Sequence, residues 1–268
     1  MVKKIAVMGG LNKSCEAELI PIVEIYPGEI IAVVGPTGSG KSQLISDIEY
    51  WADKDTPSRR QILINGLLPE KFAAQTTLRR LVAEISQNMN FVIDMSVRDF
   101  LILHAQSRQV ENVEKITQKV VDCANQLTGE PLKMDDSLTS LSGGQSRSLM
   151  VADVALLSNA PIVLIDEIEN AGINRLEALK LLAGHKKVVL VVTHDPMLAL
   201  IADKRIVMKN GGIIKLLTAS PNDKVCLDSL LQIDKVMCEL RENIRQGVDL
   251  SQVKIKEGTN LYEQCVSA

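Results

Sequence analysis

"GPTGSGKS", residues 35–42, decides the fold. It fits G-x-x-x-x-G-K-[ST], follows the apolar run "EIIAVV" and precedes a stretch compatible with a helix. Glycine at 35, 38 and 40 leaves backbone N–H groups able to close around phosphate oxygens, where side chains would block the approach. Together with Pro36, Thr37 and Ser39 they form a candidate phosphate cradle. Lys41 is suited to bridge β- and γ-phosphates, and Ser42 to ligate Mg²⁺.

Working outward, Ile- and Val-rich runs recur between helical stretches: "IPIVEIY", "EIIAVVG", "QILING", "LVAEIS", "PIVLID" and "KVVLVVTH". Near-continuous apolar runs are the mark of strands buried on both faces of an α/β sheet. "YPGE" at 26–29 reads as a turn joining the first two runs, and "KKIAVM" as an opening strand. "PIVLIDE", 161–167, ends in two carboxylates that a parallel sheet would carry to the side of the phosphate loop. Asp166 is then the candidate to hold the metal through water, and Glu167 the candidate general base for an attacking water.

Between about Met89 and Leu141 the strand signal disappears. "SVRDFLILHAQSR" has Ser96 as N-cap with Asp99 three residues on, and a second helix is expected from about Val113 to Leu127. After Leu217 an amphipathic helix is expected over about 225–247, with Leu227, Leu230, Leu231, Ile233, Val236, Met237, Leu240 and Ile244 as its apolar set. The resulting division is a cassette over 1–219, with a helical subdomain at about 89–157, and a helical tail over 220–268.

"LSGGQ", 141–145, raises a separate question. Two glycines at the mouth of a helix cost roughly 0.5–1 kcal/mol each relative to alanine. A hydroxyl at Ser142, bare backbone at Gly143 and Gly144 and a helix N-terminus together suit an anion.

Composition bounds the rest. The 268 residues are 46% hydrophobic and 24% charged, enough for a large buried core. A net charge of −3 with both signs interspersed carries no nucleic-acid signal. Five scattered cysteines without CxxC spacing read as reduced thiols, and no run approaches the ~20 apolar residues of a membrane helix. The expected location is the cytoplasm, with attachment at the inner face of a membrane left open.

The ordered set "GPTGSGKS", "LSGGQ", "IVLIDE" and "VVTHD" resembles the ATP-binding cassette (ABC) ATPases over roughly residues 1–217. The resemblance implies a P-loop cassette of α/β class, with a mainly parallel core sheet, an N-terminal antiparallel β region and a helical subdomain. It implies that Gln87 in "EISQNMNF" is the glutamine-loop residue, serving catalysis and metal, and that His194 is the switch histidine. "ADKRIVMKNGGII" looks like the family's closing hairpin. It also answers the question of the two glycines. Ser142, Gly143, Gly144 and Gln145 would meet the γ-phosphate of a nucleotide held by a second cassette, in a homodimer or heterodimer enclosing two ATP molecules.

The sequence departs from the family in three places. Ser148 and Asp153 stand where arginines are usual, with Arg147 alone nearby. "IENAGIN" follows Glu167 and ends in Asn174 where the family has aspartate, in a loop that crosses the dimer interface in relatives. Cys15 stands where the family stacks an aromatic on adenine, so ATP and GTP are expected to bind within about tenfold of each other. The preferred reading is the Mg-dependent ATP-binding subunit of a transporter whose spanning subunits are separate chains. A soluble ABC ATPase acting on a protein or nucleic-acid partner is the alternative. A non-hydrolysing binding module is disfavoured by Lys41, Asp166, Glu167 and His194.

Overall fold

The structure, a computed structural model, describes residues 1–74, 81–86, 91–166 and 173–248, apart from the side chain at position 242. The chain divides into two compact units, Met1–Thr218 and Ala219–Ala268.

In the first unit the apolar runs form two sheets. β1 (Ile5–Met8) lies between β2 (Ile22–Ile25) and β4 (Gln61–Ile64), antiparallel to both. The larger sheet has the order β5-β6-β7-β3-β8-β9, formed by β3 (Ile30–Val34), β5 (Val82–Ile85), β6 (Ile162–Asp166), β7 (Val188–Val192), β8 (Lys204–Lys209) and β9 (Gly212–Thr218). Its pairs are parallel except the closing β8–β9 hairpin.

The continuous apolar runs are explained by burial on both faces. Ile31 and Val33 of β3, Ile162 and Leu164 of β6, and Val188, Leu190 and Val192 of β7 join one core. That core is shared with the antiparallel sheet and with α1 (Lys41–Glu49). The alternate residues Ile30, Ala32, Val163, Ile165, Val189 and Val191 point the other way, into a core shared with α5 (Gly143–Leu156), α6 (Arg175–Gly184) and α7 (Pro196–Ile201). This is the period-two rule of strands applied twice. Trp51, the chain's one tryptophan, stands in a left-handed turn (φ 58°) after α1 and packs on the first core. Its indole N–H is buried, with no hydrogen-bond acceptor among the described residues.

The helical stretch has a third core of its own, built from α3 (Val97–Ser107), α4 (Val113–Leu127) and α5, with Val97, Leu101, Val120, Val121 and Leu149 at its centre. Ser96 caps α3 by accepting from the Asp99 N–H at 3.0 Å. A short α2 (Pro69–Ala74) follows β4.

The second unit contains α8 (Pro221–Arg245). It starts earlier than the expected ~225 because Ser220 and Asp223 form a reciprocal cap around a proline at the first helical position. The Ser220 N–H donates to Asp223 Oδ2 at 2.7 Å, and the Asp223 N–H to Ser220 Oγ at 3.3 Å. Leu231, Ile233, Val236, Met237 and Ile244 of its apolar set are exposed. Among the described residues no helix is long and apolar enough to cross a membrane.

Candidate nucleotide site

Parallel register brings the C-terminal ends of β3, β5, β6 and β7 to one edge of the large sheet. The loop 35–40 leaves β3 at that edge and runs into α1, Asp166 ends β6, and His194 follows β7 one residue after Thr193. Crevices at the carboxyl ends of parallel strands are where α/β sheets receive ligands.

The loop's own geometry is tightly specified. The Lys41 ammonium, on a buried side chain, donates to the carbonyls of Gly35 (2.7 Å) and Pro36 (3.2 Å). Gly40 has φ 100°, and a Cβ there would stand 2.8 Å from Cα of Gly211 in the β8–β9 turn. Glycine at 40 is thus needed for packing. Pro36, Thr37, Gly38 and Ser42 are exposed, and Ser39 is buried.

Two cavities open on this edge. One, of about 280 Å³, lies between Gly35, Pro36 and the segment Thr193–Pro196, so the phosphate loop and His194 border the same space. The other, of about 170 Å³, is lined by Ser42, Ser46, Glu49, Glu84, Leu164 and Asp166. Its donors are hydroxyl and carboxylate oxygens, which suit Mg²⁺. The charge of Glu49 and its hydrogen bond to the Tyr50 phenol, with burial and Glu84 contributing, push that phenol above its ordinary range. Among the described residues no cluster of three or more His, Cys, Asp or Glu side chains could hold a metal ion. Mg²⁺ characteristically takes one or two carboxylates together with substrate phosphates. Gln87 and Glu167 lie outside the described residues.

The "LSGGQ" segment, 141–145, opens α5, one of the helices of the third core. Ser142 Oγ accepts from the Gln145 N–H at 3.3 Å while Gln145 Oε1 accepts from the Ser142 N–H at 2.9 Å, a reciprocal capping box. Gln145 Nε2 donates to the Pro131 carbonyl at 3.3 Å, so this glutamine is engaged by its own chain. The Ser142 hydroxyl uses an oxygen lone pair in the cap, which leaves its proton available for an acceptor. Gly143 is exposed.

The departures have structural counterparts. Ser148 is buried and donates to the Gln145 carbonyl at 2.9 Å. Asp153 is also buried, with His104 Nδ1 of α3 at 3.0 Å and Arg108 Nη2 at 3.9 Å. Asn174 caps α6 by accepting from the Glu177 N–H, and Arg175 pairs with Asp195, beside His194, at 2.9 Å. Cys15 is exposed in a left-handed turn (φ 62°). Sequence reading missed Lys13, whose ammonium donates to the Gly38 carbonyl at 2.8 Å, and the buried Arg60 behind it. No motif marks either residue.

Fold and edge together define a nucleotide-loop protein of cassette type. The family model for ABC transporters matches residues 22–170. An uncharacterised ABC transporter ATP-binding protein of Methanocaldococcus jannaschii is 53% identical over 250 residues, covering 93% of this chain and 95% of that protein. The chain belongs to the ABC transporter family of ATP-binding cassettes. The macrolide export ATP-binding/permease protein MacB of Psychrobacter cryohalolentis is 31% identical over 71% of this chain, which spans only 29% of that longer relative. Among solved structures, cbiO1 of Clostridium perfringens, part of the ABC transporter complex cbiONQ, superposes with TM-score 0.60 at 22% identity, covering 90% of this chain and 97% of that one. At that identity the likeness speaks for the fold.

Proposed function

We propose that the chain is the ATP-binding and hydrolysing subunit of an ABC transporter, working as a pair of cassettes with separate membrane-spanning subunits. The observation that carries this reading is the meeting of the phosphate loop, Asp166 and His194 along one sheet edge. The backbone of residues 35–40 cradles the phosphates and Lys41 moves from its loop carbonyls onto the β- and γ-oxygens. Ser42 and Asp166, with Gln87, are the residues that would hold Mg²⁺. When bound, the ion neutralises charge on the phosphate oxygens. Glu167 takes the proton of the attacking water and His194 orients the γ-phosphate side of the site. Ser142, Gly143 and Gly144 face a nucleotide held by the second cassette, which makes closure depend on ATP. Support for the transport role is the 53% identity to an ABC transporter ATP-binding protein over nearly all of both chains.

Steady-state hydrolysis by Glu167→Gln tests the chemistry, with a fall in kcat of at least ~10²-fold expected. A loss under about threefold would remove this carboxylate from the base role. Affinity capture of the same variant with ATP tests the partners. Chains with several long apolar spans are expected, and recovery of soluble chains alone would favour the non-transport alternative.

A further inference from the structure

A loop that binds an anion must hold its carbonyl oxygens, which repel the anion, away from its N–H groups. Here the carbonyls of Gly35, Pro36, Gly38, Ser39 and Gly40 all accept hydrogen bonds. Three of the donors belong to the loop and its helix: Lys41 Nζ and the N–H groups of Ser39 and Leu44. Two come from elsewhere. Lys13 Nζ donates to Gly38 at 2.8 Å, and the Gly211 N–H donates to Ser39 at 2.8 Å.

Both outside donors hang from one buried cation. Arg60 is fully buried and donates from Nη2 to the Gly211 carbonyl at 2.8 Å. It pairs with Glu18 at 2.5 Å and with Asp47 of α1 at 2.8 Å. Glu18 in turn accepts from the N–H groups of Gly10 (2.9 Å) and Ile213 (2.6 Å), tying the segment carrying Lys13 to the hairpin carrying Gly211. The Lys13 N–H closes the ring on the Asn210 carbonyl at 2.8 Å. The ammonium therefore works from a base fixed to the same helix that leaves the phosphate loop.

We propose that Lys13 is a positioning residue for nucleotide phosphates, holding the Gly38 carbonyl so that the middle of the loop keeps its anion-binding form. The proposal rests on the nucleotide-binding reading above. Mg-ADP, which removes hydrolysis from the measurement, is titrated by calorimetry into the full chain, Lys13→Gln, Lys13→Arg and Lys41→Ala. Loss of one charge-assisted hydrogen bond at an exposed position should weaken Lys13→Gln by roughly three- to tenfold. Lys13→Arg should return within about twofold of the parent, since a guanidinium can make the same donation. Lys13 is exposed, so the unfolding midpoint of the nucleotide-free Lys13→Gln protein should match the parent. Unchanged affinity in Lys13→Gln overturns the proposal. So does an equal loss in Lys13→Arg, or a loss matched by a lower midpoint. Absence of binding by the parent chain, or a Lys41→Ala variant that binds like it, would overturn the nucleotide reading instead.

Discussion

The side chain of Arg60 has no exposed surface, and the side chains of its two carboxylate partners, Glu18 and Asp47, have none either. Removing one member of such a cluster leaves uncompensated charge in a medium that solvates it poorly. Arg60→Ala should therefore lose about 3–5 kcal/mol in urea unfolding, several times the effect of an exposed pair such as Arg98–Asp135. Lys187 makes a pH-dependent case. Burial, with Arg108 adding and Asp153 opposing, pushes its ammonium from 10.5 down to about 8, while it donates to the Ser158 and Ala160 carbonyls. Below about pH 8 both folded and unfolded chains carry the proton and the burial penalty is fully present. Between about 8 and 10.5 only the unfolded chain keeps it, so stability rises with pH in that window. Relative to Lys187→Met, the parent should gain on the order of 1–3 kcal/mol across it, read by denaturant melts at several pH values. A flat difference would show that the lysine is solvated. Neither residue could be found from sequence, because a lone Arg or Lys reads as a solvated surface charge until the fold buries it.

At the scale of elements, the strands and the insert helices were legible because their signals are local. The helix expected from about Val113 to Leu127 is α4, and Ser96 caps its neighbour as expected. The early start of α8 is also written in "SPND", a cap followed by proline, a signal the apolar periodicity does not carry. What local patterns cannot contain is pairing at long range. Asp153, a departure from the family pattern, is held by His104, 49 residues away. The "LSGGQ" segment combines both kinds of information, since Ser142 caps α5 and is also the candidate to meet a phosphate. Two substitutions separate these roles. Ser142→Ala should lower stability by about 1 kcal/mol through loss of the cap. Ser142→Asp, a good capping residue, should keep stability but abolish ATP-dependent pairing by setting a carboxylate against the anion. Pairing that survives Ser142→Asp would detach this serine from the partner's nucleotide.

For the whole molecule, the parallel sheet made the edge legible in outline, since buried runs ending in Asp166 and Thr193 must finish on the side of the phosphate loop. With ATP and Mg²⁺, Glu167→Gln should pass from monomer to dimer in size-exclusion chromatography with light scattering. A dimer equally populated without nucleotide would contradict closure around ATP. Met1–Thr218 contains all three apolar cores, so deletion of 219–268 should leave nucleotide binding within about twofold. The lone Trp51 gives the chain an intrinsic optical label. Its indole, packed on the core behind α1, should emit to the blue while folded and shift to the red on unfolding, reporting on the first unit alone. Ellipticity at 222 nm sums every helix, including the 25 residues of α8. In proteins most helical stability comes from packing of the apolar face, and Leu231, Ile233, Val236, Met237 and Ile244 of that face in α8 are exposed. Heating should therefore cost part of the ellipticity before the fluorescence moves, and the gap between the two curves would measure how independently the tail melts.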